Sequence, residues 1–539
     1  MNMLKKTFDF LKTKSGAAIV AIVAIFAIAP LLHCMGNAEK WPYWFHEHFF
    51  NALQVSSNFL SQGIPSLDAL RATNDFSVFW NAALILISFI APFGSPVYFT
   101  TVCLVLATMP VLSVALMNAL LKKMEIPVKP ASLFFTNAFF FVLCIRLAAT
   151  GTDAAWAVPA VMIGALAYLR MLEKPSFFSG MACGLAVLLC VWVRFDTLAF
   201  VVSAAFIFYM QFNGKMPVTL KQVFMFLPGF IVGILPAVGW EFLLYRHFGT
   251  PVPATVLSWM QAQNMSPWKI FSVLLGSPAK HFLSSPSALI CLSFPFIAVI
   301  AAVVDSIPWR QERTYTPKDT LFYSLIWFPI IQILFFAFFT HLNLPEYAYY
   351  SLAVALPFAL MYGINRIDDR MKTDKDREEF AKYRDIIGVL LLFLGVFWAI
   401  LPRSADLIPQ VNAVKSLTAN RPGIYAVGNG GGIFSFAAKI PVIRLDGLAA
   451  DKQMTDFISQ QTVLGEVFKH YGVDYYIMRD PVKSQGCYAV REPVENTSGG
   501  DNKGMSDWLC AEPVAVKKIS NNETLALFAL DASGKAVSK

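Results

Sequence analysis

The sequence predicts an α-helical multi-pass membrane bundle followed by a small C-terminal α/β or α+β module, and three observations predict it. Apolar runs of membrane-spanning length recur from about residue 16 to about residue 401. The chain is 56% hydrophobic and only 14% charged. After about Arg403 its composition turns polar. A hydrocarbon core about 30 Å thick takes roughly 20 apolar residues to cross as a helix, so such a composition excludes an ordinary soluble fold. Residues 1–403 are read as the transmembrane domain and 404–539 as a soluble outer domain.

Spans are expected near residues 16–33, 97–121, 131–149, 154–169, 177–193, 198–212, 223–244, 286–304, 321–339, 347–364 and 386–401, about 11 crossings in all. The first is preceded by Lys5, Lys6, Lys12 and Lys14; it is too long for a signal-peptide core and reads as an uncleaved anchor. The run 79–93 is shorter and closed by Gly94, Ser95 and Pro96. Counting it as a crossing would invert every later loop, so it reads as a half-span or re-entrant helix.

The formal net charge of +8 does not mark a nucleic-acid binder. Its Lys and Arg residues sit in short loops: Lys122, Lys123 and Lys129; Arg170 and Lys174; Lys215 and Lys221; Arg310 and Arg313; and the stretch 366–384. This positive-inside pattern puts those loops and the N-terminus in the cytoplasm. The segments 34–78, 150–153, 194–197, 245–285, 340–346 and the tail are then outside, across the membrane from those loops. Trp41, Trp44, Phe45, Phe49 and Phe50 of the first outer loop read as amphipathic helices lying in the interface.

In the tail, 424–427, 441–445 and 474–478 read as strands and 452–470 as a helix. Gly428 to Gly432 lacks both a dinucleotide-binding fingerprint and a P-loop lysine and reads as a plain turn. Cys34, Cys103, Cys144, Cys183, Cys190 and Cys291 lie in or beside apolar runs, as core residues do. Cys487 and Cys510 are the tail's pair. They form a disulfide if the tail meets an oxidising compartment, and two free thiols are the alternative.

Candidate chemistry gathers where polar groups meet the outer ends of spans. These are Phe45-His46-Glu47-His48, Gly151-Thr152-Asp153, Arg194-Phe195-Asp196-Thr197, Arg246-His247-Phe248-Gly249 and Pro253-Ala254-Thr255. Ionisable residues converging there form a functional-site hypothesis, because charge near hydrocarbon is costly unless used or paired. Carboxylates with arginines nearby suit activation of a hydroxyl and stabilisation of a departing phosphate.

The order of these motifs resembles the GT-C fold glycosyltransferases that use polyprenyl-phosphate sugars, particularly the bacterial and mycobacterial branch related to terminal arabinofuranosyltransferases. Glu47 stands at the family's acidic first-loop motif, with Phe59-Leu60-Ser61-Gln62-Gly63 and Thr73 to Trp80 following. Gly151-Thr152-Asp153 is similar to a G-[LM]-E motif, Arg194 to Thr197 to R-P-E-G, and Phe248 to Thr255 to the Y-G-x-x-x-P-N-T loop, with Ala254 where that motif has Asn. Val442 to Leu448 resembles the D-x-x-G-L segment of the family's outer domain.

The resemblance implies an inverting transfer of a sugar from a polyprenyl-phosphate donor to a hydroxyl on an envelope glycan, glycolipid or protein, with no cofactor. It implies catalytic roles for Glu47, Asp153 and Asp196, and donor-phosphate contacts from Arg194, Arg246, His247 and Thr255. The bland alternatives are an interfacial Glu47, helix N-capping by Asp153 and Asp196, and snorkelling by Arg194 and Arg246. No metal is expected; His46, His48 and Asp75 are the weak candidates for one. A lipid-linked glycan transporter, which would more usually show internal repeats and mid-span charges, and a non-catalytic envelope-assembly relative are the competing functions.

Overall fold

A computed structural model describes residues 41–128, 130–212, 218–250, 253, 297, 299–300, 303–304, 316–339, 350–371, 373–399, 407–447, 450–493, 503–520 and 523–537. The expected first span and nearly all of 286–304 lie outside these residues, as do Cys34, Cys291 and Thr255.

The described bundle runs α1 (Trp41–Trp44), α2 (Glu47–Gln62), α3 (Val78–Ser88), α4 (Pro96–Lys123), α5 (Pro130–Ala148), α6 (Ala154–Glu173), α7 (Phe177–Val193), α8 (Leu198–Phe212), α9 (Leu220–Phe248), α10 (Pro317–Phe339), α11 (Tyr350–Arg370) and α12 (Asp374–Ala399). Each described apolar run of the sequence has become one of these helices. By length and composition α4, α6, α9 and most of α10 can each cross a membrane. The protein is a helical membrane protein. The helices start where local chemistry starts them. Ser95 caps α4 ahead of Pro96, Ser176 and Ser179 form a capping box on α7, and Thr219 and Gln222 form one on α9. Helix α3, with 11 residues, is roughly 16 Å long, too short to span.

Helices α7 and α9 pack with their backbones in contact. A Cβ on Gly229 would lie 1.8 Å from the carbonyl oxygen of Phe177, so no larger residue fits there without parting the helices.

The tail forms α13 (Leu407–Thr418), β1 (Tyr425–Val427), α14 (Gly431–Ala438), β2 (Val442–Arg444), α15 (Lys452–Gln460), α16 (Leu464–Tyr471), β3 (Tyr475–Arg479), β4 (Lys483–Ser484), β5 (Cys487–Glu492), β6 (Met505–Leu509), β7 (Ala515–Lys518), β8 (Thr524–Leu530) and β9 (Ala536–Val537). Its main sheet has the order β2-β1-β3-β8-β7, with β9 beside β8; β4, β5 and β6 make a second sheet. Strand β1 pairs in parallel with β2 and β3, and β3 pairs antiparallel with β8. The single helix expected over 452–470 is two, because Gln461 takes a left-handed φ of 54° between them. Cys487 and Cys510 are joined by a disulfide. Cys103, Cys144, Cys183 and Cys190 are buried free thiols.

Strands β1, β2, β3 and β8 of the main sheet are buried on both faces, while β7 at the edge is largely exposed. One face, with Ala426, Ile443, Tyr476 and Phe528, packs against α15 and α16. The other, with Tyr425, Val427, Val442, Ile477 and Leu527, shares a core with Trp41, Phe45, Phe49, Phe50 and Leu53 of the first loop and Phe99 of α4. This corrects the interfacial reading of the first-loop aromatics. Trp41, Phe45, Phe49 and Phe50 are fully buried, and Phe50 and Phe99 meet Phe436 of α14 at ring distances of 5.6 and 6.0 Å. Burying each ring is worth about 1.5–3 kcal/mol. A hydrophobic core therefore crosses the boundary at Arg403, and the tail sits on the bundle through α1 and α2.

Candidate active site at one end of the bundle

The turns α5–α6 and α7–α8, the C-terminal end of α9, the start of α11 and the first loop meet at one end of the bundle. The connections are specific. The His46 N–H donates to the Thr150 carbonyl at 2.9 Å, Ser77 Oγ donates to the Val193 carbonyl at 2.8 Å, and Asn74 Nδ2 donates to the Thr250 carbonyl at 3.3 Å. Two arginine–carboxylate clusters form there.

The first cluster belongs to the bundle. Arg194, at the C-cap of α7, donates from Nη1 to Asp153 Oδ1 at 2.6 Å. It also grips Asp196 in bidentate fashion, Nε to Oδ1 at 2.9 Å and Nη2 to Oδ2 at 3.1 Å. Gln332 Nε2 and the Tyr350 hydroxyl donate to the same Asp196 carboxylate at 3.1 and 3.3 Å. Asp153 precedes α6 but makes no side-chain cap bond. Capping does not account for it; its carboxylate is turned to Arg194. Burial pushes the Asp153 carboxyl above its usual range, opposed by Arg194.

The second cluster joins the first loop to the tail. Arg444, at the end of β2 and 1% exposed, donates to Glu47 Oε1 and to Asp446 Oδ2, and also to Asp446 Oδ1 at 3.0 Å and Asn51 Oδ1 at 3.2 Å. Glu47 opens α2, where a helix N-terminus favours negative charge. The backbone N–H of Gly430 also bonds the Glu47 side chain. Burial pushes the Glu47 carboxyl up, with the Arg444 guanidinium pulling it down and Asp446 pushing it further up. The glycine segment after β1 is thus a docking surface for α2: a Cβ on Gly432 would lie 1.8 Å from Asn51 Oδ1. In open α/β sheets ligands sit beyond the carboxyl ends of parallel strands. Here the ends of β1 and β2 receive Glu47 of the same chain.

His48 lies between the clusters. Burial, His46 and the charges of Arg444 and Arg194 hold its imidazole well below its usual range, so it is neutral. His46 Nδ1 accepts from the His48 N–H at 3.4 Å, and the two rings stack 5.4 Å apart. Asp75 is near enough to both Asp153 and Arg444 for its charge to act on each. Among the described residues no group of three His, Cys, Asp or Glu side chains is arranged to hold a metal ion.

Of the residues singled out in the sequence, Asp153, Arg194 and Asp196 come together, and Glu47 and His48 lie beside them. Arg246 and His247 are exposed in the last turn of α9, and the contacts that build the two clusters include neither. Sequence reasoning singled out the segment Val442 to Leu448 but gave its Arg444 and Asp446 no role in the site, and it gave none to Tyr350 and Gln332. A charged Arg-x-Asp pair ending an apolar strand was the available signal for the first two.

No protein-family model and no curated protein sequence matches the chain. Solved structures do. The apo ArnT of Cupriavidus metallidurans superposes with a TM-score of 0.52 at 11% identity, over 86% of this chain and 93% of that one. The archaeal oligosaccharyltransferase AglB of Archaeoglobus fulgidus, solved with an inhibitory peptide and a dolichol-phosphate, gives 0.50 at 11% identity, over 86% of this chain and 70% of that one. The chain has the GT-C fold. The resemblance read from the motif order is thereby borne out at the level of the fold.

Proposed function

We propose that this chain is an integral membrane glycosyltransferase, with about 11 crossings and its tail in the periplasm, that moves a sugar from a polyprenyl-phosphate donor to a hydroxyl of an envelope acceptor. The observation that carries this reading is the meeting, at one end of a GT-C bundle, of Glu47 and Asp153. Each is a burial-raised carboxylate beside an arginine, and such poised groups mark catalytic sites. That AglB was solved with a dolichol-phosphate supports a lipid-phosphate donor.

The step is one inverting displacement. The acceptor oxygen bonds to the anomeric carbon as its proton passes to the Glu47 carboxylate. The bond from that carbon to the phosphate oxygen breaks, and the electron pair leaves on polyprenyl phosphate, which gains one negative charge. Arg194 already shares its charge between Asp153 and Asp196, so it orients those carboxylates toward the acceptor. The phosphate contacts are assigned to the exposed Arg246 and His247 and, from the sequence motif alone, to Thr255. Holding both substrates in one cleft supplies much of the rate.

The Glu47–Arg444 ion pair also fits a second reading, a tie between first loop and tail in a non-catalytic assembly partner. A deletion strain separates the two. The glycosyltransferase reading requires it to accumulate a polyprenyl-phosphate sugar and to lack one sugar from an envelope glycan, and complementation by Glu47→Gln to leave both defects in place. Unchanged lipid-linked sugars, or full rescue by Glu47→Gln, would overturn it. A reporter active only in the cytoplasm, fused after Lys539, should be silent; a strong signal contradicts the proposed orientation.

A further inference from the structure

Resting on the reading of Glu47 as the base, we propose that Arg444 of the tail is a positioning residue for Glu47, so that the C-terminal module completes the catalytic site. The juxtaposition is close in space and remote in sequence, with Arg444 lying 397 residues beyond Glu47. A guanidinium presents its N–H donors in a rigid plane. Asp446 takes Nε and Nη2 and fixes that plane, leaving Nη1 for Glu47 and Asn51. Glu47 is thus held by one edge of the fork, while Asp446 takes the bidentate share.

That division matters chemically. An arginine paired with Glu47 alone would hold it as a weak base; one arginine shared by two carboxylates leaves the group with a net negative charge and Glu47 able to accept a proton. The other neighbours complete its orientation. The Gly430 N–H bonds its side chain, Asn51 lies one turn further along α2, and the neutral His48 follows it in sequence. A second contact keeps the tail in place. Arg71 of the first loop donates to the His470 carbonyl at 2.9 Å, lies 3.7 Å from Asp451 and stacks over Tyr471 with its guanidinium carbon 4.1 Å from the ring centre. Thr73 Oγ1 donates to the Ala450 carbonyl at 2.9 Å.

The test uses the full-length chain in lipid nanodiscs and follows the protonated-carboxyl infrared band that Glu47→Gln removes, as a function of pH. Arg444→Met should move its midpoint up, because a positive neighbour is lost. Asp446→Asn should move it down, because a negative one is lost. Guanidinium ion added to Arg444→Met should reverse that shift, which a scaffold role would not produce. In membranes of the deletion strain, Arg444→Met should transfer sugar slower by on the order of tenfold or more, with Arg444→Lys intermediate. Should Arg444→Met fail to fold, Arg444→Lys and Asp446→Asn carry the same test. Wild-type midpoints and rates in these variants, with Glu47→Gln inactive, would overturn the role of Arg444 alone; a fully active Glu47→Gln would overturn the reading of Glu47 as the base.

Discussion

The two clusters use one design in different places. In each, a single guanidinium is held between two carboxylates. Arg194 draws both partners from turns at the same end of the bundle, at residues 153 and 196, and is 14% exposed at its side chain. Arg444 draws Asp446 from the turn that follows its own strand and Glu47 from the other end of the chain, and its side chain is 1% exposed. The bundle cluster is a local consequence of how α5 to α8 turn. The second exists only because the tail docks on α2, so it reports on the assembly of the two parts.

The largest expected effect is on folding, and it should distinguish the clusters. Arg444→Met leaves Glu47 and Asp446 buried without their cation and should cost about 3–5 kcal/mol. Arg194→Met should cost less, about 2–3 kcal/mol, since Gln332 and Tyr350 still hydrogen-bond Asp196. Thermal unfolding of both variants in the same detergent would check the order, and the reverse order would mean the tail interface is looser than its burial implies.

Next in size is the disulfide, which closes a loop of 23 residues between β5 and β6. Replacing both cysteines with serine should destabilise the tail by about 3 kcal/mol on the chain-entropy model. Protease sensitivity should rise in residues 483–510 and stay unchanged in the bundle. The smallest is the clamp at the tail's edge. Arg71 is partly exposed, so Arg71→Ala should cost about 1 kcal/mol. It should leave Asp153 and Arg194 undisturbed while raising hydrogen exchange in α15 and α16.

The same contrast explains what the sequence could disclose. Spans depend on local hydropathy, so the runs at 177–193 and 198–212 fall on helices α7 and α8. Asp153, Arg194 and Asp196 were visible because they sit at the ends of such runs. The first-loop aromatics were misplaced because interfacial and buried aromatics have the same composition, and only the docked sheet tells them apart. Arg444 lay in a segment the motif order singled out, but it was given no role because nothing near it in sequence names Glu47 as its partner. The break at Gln461 lies in a left-handed residue that periodicity does not register.

The pH dependence of transfer bears on the central claim as well. Glu47 must be ionised to accept a proton, and burial raises the value at which it ionises. The rate should therefore fall as pH drops through a midpoint above the ordinary glutamate value of 4.5. The most direct test is sugar transfer by Glu47→Gln, Asp153→Asn and wild type in the same membranes. The account predicts that Glu47→Gln loses about 10²-fold or more of the rate while still binding polyprenyl phosphate, and that Asp153→Asn retains more of it. Normal transfer by Glu47→Gln would contradict it, whatever Asp153→Asn does.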